Sequence, residues 1–162
     1  MDSKFTTYMS SQIGDLVLEF EGEKLVSLFV ADENTLKTQF PVSEITNKKI
    51  GFILKQLKKY FSSAIPFSGL SLALNGTPFQ KSVWKELSKI PLSETRTYGD
   101  IARKLNSSPR AVGNACRKNP IAIIVPCHRV VSAKGIGGYA GETEGKEIMV
   151  KRWLLNHEGV HL

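Results

Sequence analysis

The first half of the chain has the hydrophobic pattern of a β-hairpin followed by a helix and one more strand. Residues 13–20 alternate imperfectly between apolar and polar side chains, residues 21–23 are a Glu-Gly-Glu turn, and residues 24–30 alternate again, which indicates two paired strands. Apolar residues recur at helical spacing over residues 46–61, with lysines on the outer face. Residues 69–74 alternate and predict a further strand. Nothing in this half indicates chemistry, so we expect it to be a scaffold.

The pattern changes after residue 75, where helix-start signals begin. Residues 77–80 read Thr-Pro-Phe-Gln, which supplies an N-cap, a proline at the first helical position and a capping box. We expect this helix to end at Pro91. The chain therefore divides into an α/β scaffold domain, residues 1–75, and a helical domain, residues 76–162, and its expected class is α+β.

Two further short helices follow each other closely. The first begins at Thr97, with Asp100 three residues on, and runs to Leu105; the second begins at Ser108, with a proline next, and runs to Arg117. Two short helices joined by about four polar residues are typical of a helix-turn-helix. This pattern is common and only moderately specific for DNA binding.

The second of these helices has a composition that allows two interpretations. Ala111, Gly113 and Ala115 are small, so the helix backbone could approach a groove wall closely, and Arg110 could reach into a base stack. The same residues would also suit close packing against another helix, with Arg110 in solvent. Without further evidence the packing interpretation is favoured.

The positive charge of the chain lies entirely in its second half. Residues 1–73 hold eight lysines against eight acidic residues, whereas residues 74–162 hold eight lysines and six arginines against seven acidic residues, a net charge of +7. A concentrated basic region is the footprint of a nucleic-acid partner, but a merely solvated basic surface explains the charge equally well.

Composition indicates in which cellular compartment we expect the protein to be. The 162 residues contain no apolar run of membrane-spanning length and no basic stretch followed by an apolar region at the N-terminus, so we expect a cytoplasmic protein, or a nuclear one in a eukaryote. A reducing compartment argues against a disulfide between the two cysteines. The two cysteines and three histidines show no metal-ligand spacing, so no metal site is expected.

Cys127 is the candidate nucleophile. An apolar run at residues 121–125, which we expect to be short and extended, ends at Pro126 and Cys127. His128 and Arg129 follow directly, and positive neighbours favour the thiolate, the nucleophilic form of cysteine. A lone cysteine is otherwise usually an inert small apolar side chain.

The end of the chain offers a partner for such a nucleophile. A glycine-rich loop at residues 135–141 does not match a phosphate-binding motif and suits a pocket wall or a plain turn. The last helix, residues 146–156, leads into His157 and Glu158. A carboxylate there could orient and charge a histidine, as in nucleophile–base–acid relays.

Five segments together resemble the O6-alkylguanine-DNA alkyltransferase family, in the family's order. They are TYGDIA at residues 97–102, RAVGNA at 110–115, RKNP at 117–120, PCHRV at 126–130 and WLLNHEG at 153–159. The resemblance is close over residues 76–160, whereas the first half is similar in arrangement only. A chance match of five ordered motifs is very improbable.

The resemblance implies both a fold and an activity. The first domain would be ribonuclease H-like and the second winged-helix-like. The protein would repair DNA by moving the alkyl group of O6-alkylguanine, with O4-alkylthymine as a further candidate, to Cys127, once per molecule. It would bind double-stranded DNA through the minor groove, act as a monomer and need no cofactor.

The resemblance also implies roles for individual residues. Cys127 would accept the alkyl group, His128 would act on it through a water molecule, and Glu158 would complete the relay. Asn119 would hold the active-site turn by hydrogen bonds. Tyr98 would help rotate the nucleotide out and donate toward the guanine.

The remaining implied residues contact DNA or the damaged base. Arg110 would fill the gap that the flipped base leaves, which now favours the functional interpretation of this residue. The DNA-contacting set would be Thr97, Arg110, Ala111, Gly113 and Arg117, and the alkylguanine pocket would include Val130, Tyr139 and Ala140.

Three features depart from the family pattern. Ala140 stands where some relatives carry a serine that contacts the alkylated oxygen, so only its backbone N–H could serve. Cys116 stands where relatives often have another residue, and we expect it to pack rather than react. Residues 1–73 contain no cysteine or histidine, so the zinc ligands of some relatives are absent.

Two other classes compete with this interpretation. Alkyltransferase-like proteins share the architecture and bind damaged DNA without enzymatic activity, but they lack the acceptor cysteine, so Cys127 argues against them. A helix-turn-helix transcription regulator is the third candidate, and the Pro-Cys-His-Arg turn argues against it.

Overall fold

The structure of the protein is a computed structural model that describes residues 3–31, 47–139 and 144–162. Backbone contacts divide the chain into two compact units, Met1–Leu74 and Asn75–Leu162. The described residues form five α-helices and two small sheets, which confirms the predicted mixture of helix and sheet. The elements are β1 (Lys4–Met9), β2 (Leu16–Glu21), β3 (Lys24–Val30), α1 (Lys48–Ser63), α2 (Pro78–Leu87), β4 (Arg96–Thr97), α3 (Tyr98–Lys104), α4 (Pro109–Arg117), β5 (Val130–Val131) and α5 (Lys146–His157).

The first unit contains an antiparallel sheet in the order β1-β2-β3. The predicted hairpin is confirmed as β2 and β3, whereas β1 was not predicted. The central strand β2 buries Leu16, Val17 and Leu18 in succession, because it is covered on both faces. This burial explains why residues 13–20 alternate only imperfectly.

The helix predicted at residues 46–61 is confirmed as α1, with residue 46 outside the described residues. The Asn47 side chain caps it by accepting hydrogen bonds from two backbone N–H groups of the first turn. The strand predicted at residues 69–74 is wrong. Gly69 has a φ of +68° and turns the chain, so only Leu72 pairs with β3, through a single parallel bridge to Leu25.

The second unit begins with the predicted capping box. The Thr77 hydroxyl oxygen accepts from the Gln80 N–H at 3.1 Å, and the Gln80 side chain accepts from the Thr77 N–H at 2.9 Å. Helix α2 ends at Leu87 rather than at Pro91, because the backbone N–H groups of Lys89 and Ile90 bond to the carbonyls three residues back instead of continuing the helical ladder. The Trp84 indole N–H donates to the Ala115 carbonyl at 2.9 Å and joins α2 to α4.

The two short helices of the predicted helix-turn-helix are confirmed as α3 and α4. The Thr97 and Asp100 side chains form a second capping box at the start of α3, and the Ser108 hydroxyl caps α4. Strand β4, just before α3, pairs in parallel with β5, just after the candidate nucleophile. This pairing, which was not predicted, brings Cys127 close to the start of α3.

The apolar run at residues 121–125 is not extended, contrary to the prediction. Its three middle residues form turns, and Ile123 has a left-handed φ of +73°. The Val125 N–H donates to the Ile121 carbonyl at 3.0 Å, which closes the turn. The run is apolar because it is buried within the second unit, and burial alone does not distinguish a turn from a strand. No helix in the described ranges is long and apolar enough to cross a membrane.

Candidate active site

Cys127 begins a single 3-10 turn, Cys127–Arg129, directly after the buried turn of residues 121–125. Asn119 holds that preceding turn at both ends. Its Nδ2 donates to the Val125 carbonyl at 2.8 Å, and its Oδ1 accepts from the Ile121 N–H at 3.0 Å. The Cys127 side chain is thereby fixed in the interior, with 8% of its surface exposed.

Burial controls the ionisation of Cys127. Burial raises the pKa of the thiol above its usual value, while Asn119, Lys151 and Tyr139 oppose that shift. The prediction that His128 and Arg129 activate the thiol as positive neighbours is wrong. Their side chains leave the 3-10 turn in another direction and bind Glu158.

A buried cluster of His128, Arg129 and Glu158 lies behind Cys127. The His128 Nε2 is 2.7 Å from Glu158 Oε2, and the Arg129 Nε donates to Glu158 Oε1 at 2.7 Å. The Arg129 Nη1 donates to the Ile90 carbonyl at 2.8 Å, which anchors the cluster to the segment after α2. The structure thus joins the predicted His128 and Glu158, and it adds Arg129, whose bonds to Glu158 were not predicted.

The cluster contains a neutral imidazole and an ionised carboxylate. Burial raises the pKa of Glu158, but hydrogen bonds from His128 and Arg129 outweigh burial and bring the pKa to about 2. Burial lowers the pKa of His128 because it disfavours the charged imidazolium, and this effect outweighs the opposing effect of Glu158. The Nε2–H of His128 therefore donates to Glu158, and Nδ1 is the basic nitrogen. His128 Nδ1 is buried and has no hydrogen-bond partner among the described residues.

The aromatic residues Tyr98 and Tyr139 come from separate segments of the second unit, and both interact with Cys127. Tyr98, the first residue of α3, donates from its hydroxyl to the Gly138 carbonyl at 3.3 Å. Burial raises the pKa of Tyr98, so the phenol keeps its proton. A Cβ at Gly137 would lie 3.2 Å from the Tyr98 ring, so the loop backbone packs directly on the tyrosine. Val130 and Tyr139 are buried, and Ala140 lies outside the described residues.

Lys151 also lies near Cys127, although the sequence interpretation did not single it out. This residue of α5 is fully buried, and its Nζ donates to the Val130 carbonyl at 2.6 Å and to the Gly138 carbonyl at 2.8 Å. The sequence pattern does indicate that Lys151 is buried, because it falls at helical spacing between the apolar positions Ile148 and Leu155. Because lysine is rarely buried, a lysine at such a position is easily taken for an exception to the hydrophobic pattern of the helix.

Four of the predicted DNA-contacting residues lie on α4, and the fifth, Thr97, lies in β4 directly before α3. Arg110 and Arg117 are exposed, while Ala111 and Gly113 are half-buried. A Cβ at Gly113 would lie 4.0 Å from the Tyr98 ring, so α4 passes beside that ring. The Thr97 hydroxyl is used as the N-cap of α3.

Cys116 is half-buried on α4. Burial and the neighbouring Cys127 raise the pKa of Cys116 to about 12, so its thiol stays protonated. In the part of the chain that the structure describes, no three His, Cys, Asp or Glu side chains come together as a metal site requires.

Fold and site together define a class: a protein with a buried cysteine, followed in the chain by a histidine that is bound to a glutamate, and with a helix-turn-helix in the same unit. The sequence model of the 6-O-methylguanine DNA methyltransferase DNA-binding domain matches residues 78–160. The methylated-DNA–protein-cysteine methyltransferase of Methanosarcina mazei is 46% identical over 128 residues, which cover 76% of this chain and 80% of that protein.

Solved structures agree with the sequence comparisons. The Mycobacterium tuberculosis O6-methylguanine methyltransferase matches with a TM-score of 0.78 and 36% identity, over 96% of this chain and 93% of that one. The Mycobacterium tuberculosis OGT in complex with DNA matches with a TM-score of 0.75 and 39% identity, over 93% of this chain and 90% of that one. The chain belongs to the methylated-DNA–protein-cysteine methyltransferase family of DNA-repair enzymes. The predicted enzymatic class is confirmed, and the non-enzymatic alternative is not favoured.

Proposed function

We propose that this protein repairs O6-alkylguanine in double-stranded DNA by taking the alkyl group onto Cys127, once per molecule. One observation carries the proposal: Cys127 is buried, and the residue after it, His128, is a neutral histidine whose Nε2 is bound to an ionised carboxylate. Such a histidine can accept a proton but is not already charged, which is what activation of a thiol requires.

The atoms and electrons of the transfer balance without a cofactor. His128 Nδ1, acting through a water molecule, takes the proton of the Cys127 thiol, and Glu158 stabilises the imidazolium that forms. The sulfur then attacks the alkyl carbon, the carbon–O6 bond breaks, and its electron pair stays on guanine, which takes up a proton. The products are a neutral thioether and guanine. Because the thioether is stable and nothing restores the thiol, each molecule acts once.

Tyr98 and Asn119 prepare the site for this step. Tyr98 keeps its proton and so can donate a hydrogen bond to guanine as negative charge develops on the leaving base. Asn119 fixes the turn that presents the sulfur. We place the alkylguanine between Val130, Tyr139 and Ala140, and O4-alkylthymine is a candidate second substrate of the same pocket.

DNA binding is assigned to α4, in the minor groove. A base inside a duplex cannot reach a buried thiol, so it must be flipped out, at a cost of a few kcal/mol. The small, half-buried Ala111 and Gly113 allow a close approach of the helix, and the exposed Arg110 and Arg117 supply positive charge. Arg110 would fill the gap in the base stack, and Thr97 would contact DNA at the start of α3.

The finer structural predictions belong to the same proposal. Residues 1–75 would be a ribonuclease H-like scaffold domain, and residues 76–162 a winged-helix-like domain with the DNA-binding and acceptor residues. We further propose a monomer that acts in the cytoplasm, or in the nucleus of a eukaryote.

The decisive experiment is a mass measurement. The protein is incubated with duplex DNA that contains O6-methylguanine, and its peptides are mapped by mass spectrometry. We expect one methyl group per molecule, on Cys127, no methyl group in Cys127→Ser, and normal transfer in Cys116→Ser. Methyl on Cys116, no methyl at all, or catalytic turnover would each contradict the proposal.

Replacement of Arg110 tests the base-flipping step separately. Filling the gap offsets part of the flipping cost, so Arg110→Ala should slow methyl transfer from duplex DNA by about tenfold, or ~1.4 kcal/mol. Transfer from free O6-benzylguanine base should hardly change, because no stack is opened. Arg152→Ala, which removes an exposed arginine from α5, is the charge-matched control. Equal losses on duplex and free base would refute the role of Arg110.

A further inference from the structure

Lys151 is a buried cation that pairs with no carboxylate in the part of the chain that the structure describes. It is fully buried, and the ion pairs found among the described residues do not include it. The buried carboxylate of the site, Glu158, is occupied by His128 and Arg129. A buried ammonium group costs several kcal/mol unless something compensates its charge, so its presence here needs a cause.

The groups that face Lys151 identify that cause. Its Nζ lies 5.8 Å from the ring centroid of Tyr98, which is on α3. Its charge also interacts with the thiols of Cys127, in the 3-10 turn, and of Cys116, on α4. Burial lowers the pKa of Lys151 to about 8, and the two thiols oppose that shift. Of these groups, Cys127 is the one that the proposed transfer turns into an anion.

The geometry holds the ammonium group in place. The carbonyls of Val130 and Gly138 fix Nζ at 2.6 and 2.8 Å, and they come from the two segments that flank the candidate pocket. An oriented charge costs no reorganisation when the sulfur ionises, and it acts strongly because both groups are buried away from bulk solvent. The imidazolium that His128 forms on taking the proton is paired with Glu158, whereas the charge of Lys151 is in place before the sulfur ionises.

We propose that Lys151 is a positioning residue that acts as the internal counter-ion of the Cys127 thiolate. The proposal rests on the proposed role of Cys127 as alkyl acceptor and deepens it. In this division of work, His128 removes the proton and Lys151 stabilises the anion that remains. Lys151 itself exchanges no atom with the substrate.

The test measures the ionisation of Cys127 without DNA. In a Cys116→Ser background Cys127 is the only thiol, and its alkylation by iodoacetamide reports the thiolate fraction as pH is varied. Lys151→Gln keeps an N–H donor for the two carbonyls but removes the charge. We expect its reaction midpoint to move up by about one pH unit, which means about tenfold slower alkylation below the midpoint and recovery above it. Lys151→Arg, which keeps the charge, should leave the midpoint nearly in place.

The control is Arg152→Gln, which removes one positive charge from the exposed face of α5 and should not move the midpoint. An unchanged midpoint in Lys151→Gln overturns the proposal, and so does a rate lowered equally at every pH, which would indicate a merely structural lysine. Failure of the wild-type protein to take up methyl from DNA would instead contradict the proposed function, so the two failures are distinguishable.

Discussion

Replacement of Glu158 by glutamine tests the electrostatics of the buried cluster directly. The carboxylate is 2% exposed and receives hydrogen bonds from His128 Nε2 and from Nε and Nη2 of Arg129. Glutamine has nearly the same shape and keeps one carbonyl oxygen, but it leaves the Arg129 guanidinium without a counter-charge in the interior. The substitution therefore changes charge far more than packing.

The magnitude follows from the pKa of Glu158. Burial raises that pKa, but the bonds from His128 and Arg129 outweigh it, and the pKa falls from 4.5 to about 2. At about 1.4 kcal/mol per pH unit, the ionised carboxylate contributes about 3 kcal/mol to the free energy of unfolding. Because the folded pKa is the lower one, this contribution is complete above pH 4.5 and is lost as the pH falls toward 2. At neutral pH, Glu158→Gln should thus lose about 3 kcal/mol, the size known for breaking a buried ion pair.

Urea unfolding followed by tryptophan fluorescence measures this loss, since both tryptophans, Trp84 and Trp153, lie in the second unit. The control is Glu94→Gln, which removes an exposed carboxylate 3.5 Å from Arg96 and should cost less than about 1 kcal/mol. The difference between wild type and Glu158→Gln should shrink steadily below pH 4.5. A difference that stays constant down to acidic pH would refute the reasoning, because it would show that shape rather than charge matters at this position.

Two further substitutions test the surroundings of the site. Gly137→Ala places a side chain at a φ of +75°, which costs roughly 1–2 kcal/mol, and its Cβ would lie 3.2 Å from the Tyr98 ring. Methyl transfer should slow by about tenfold, because Tyr98 is displaced. The control is Gly99→Ala, in helix α3, which should be tolerated. Equal rates of methyl transfer for the two variants would contradict the role of the loop that carries Gly137. Trp84→Phe removes the hydrogen bond to the Ala115 carbonyl and should lower the free energy of unfolding, measured by urea and circular dichroism, by about 1–3 kcal/mol. A loss below about 0.5 kcal/mol would show that this bond does not hold α4.

The sequence by itself determined the elements whose physics is local. The capping boxes at Thr77 and Thr97 and the Ser108 cap were predictable because each is completed within three residues. The β2–β3 hairpin was predictable because its turn is short. The motif around Cys127 indicated the family because reacting atoms and their neighbours are close in sequence there.

The tertiary structure decided everything that depends on distant partners. Strand β1 has little apolar alternation and forms because the edge of β2 is available to pair with it. The thiol of Cys127 has a raised pKa, against expectation, since exposure to water and not sequence neighbours controls it. His128 and Arg129 follow Cys127 in the chain but serve Glu158, which lies about thirty residues later. Lys151 was not singled out from the sequence and becomes a buried charge near Cys127. Charge and solvation act through space, so the ionisation of this site could be described only once remote segments were brought together.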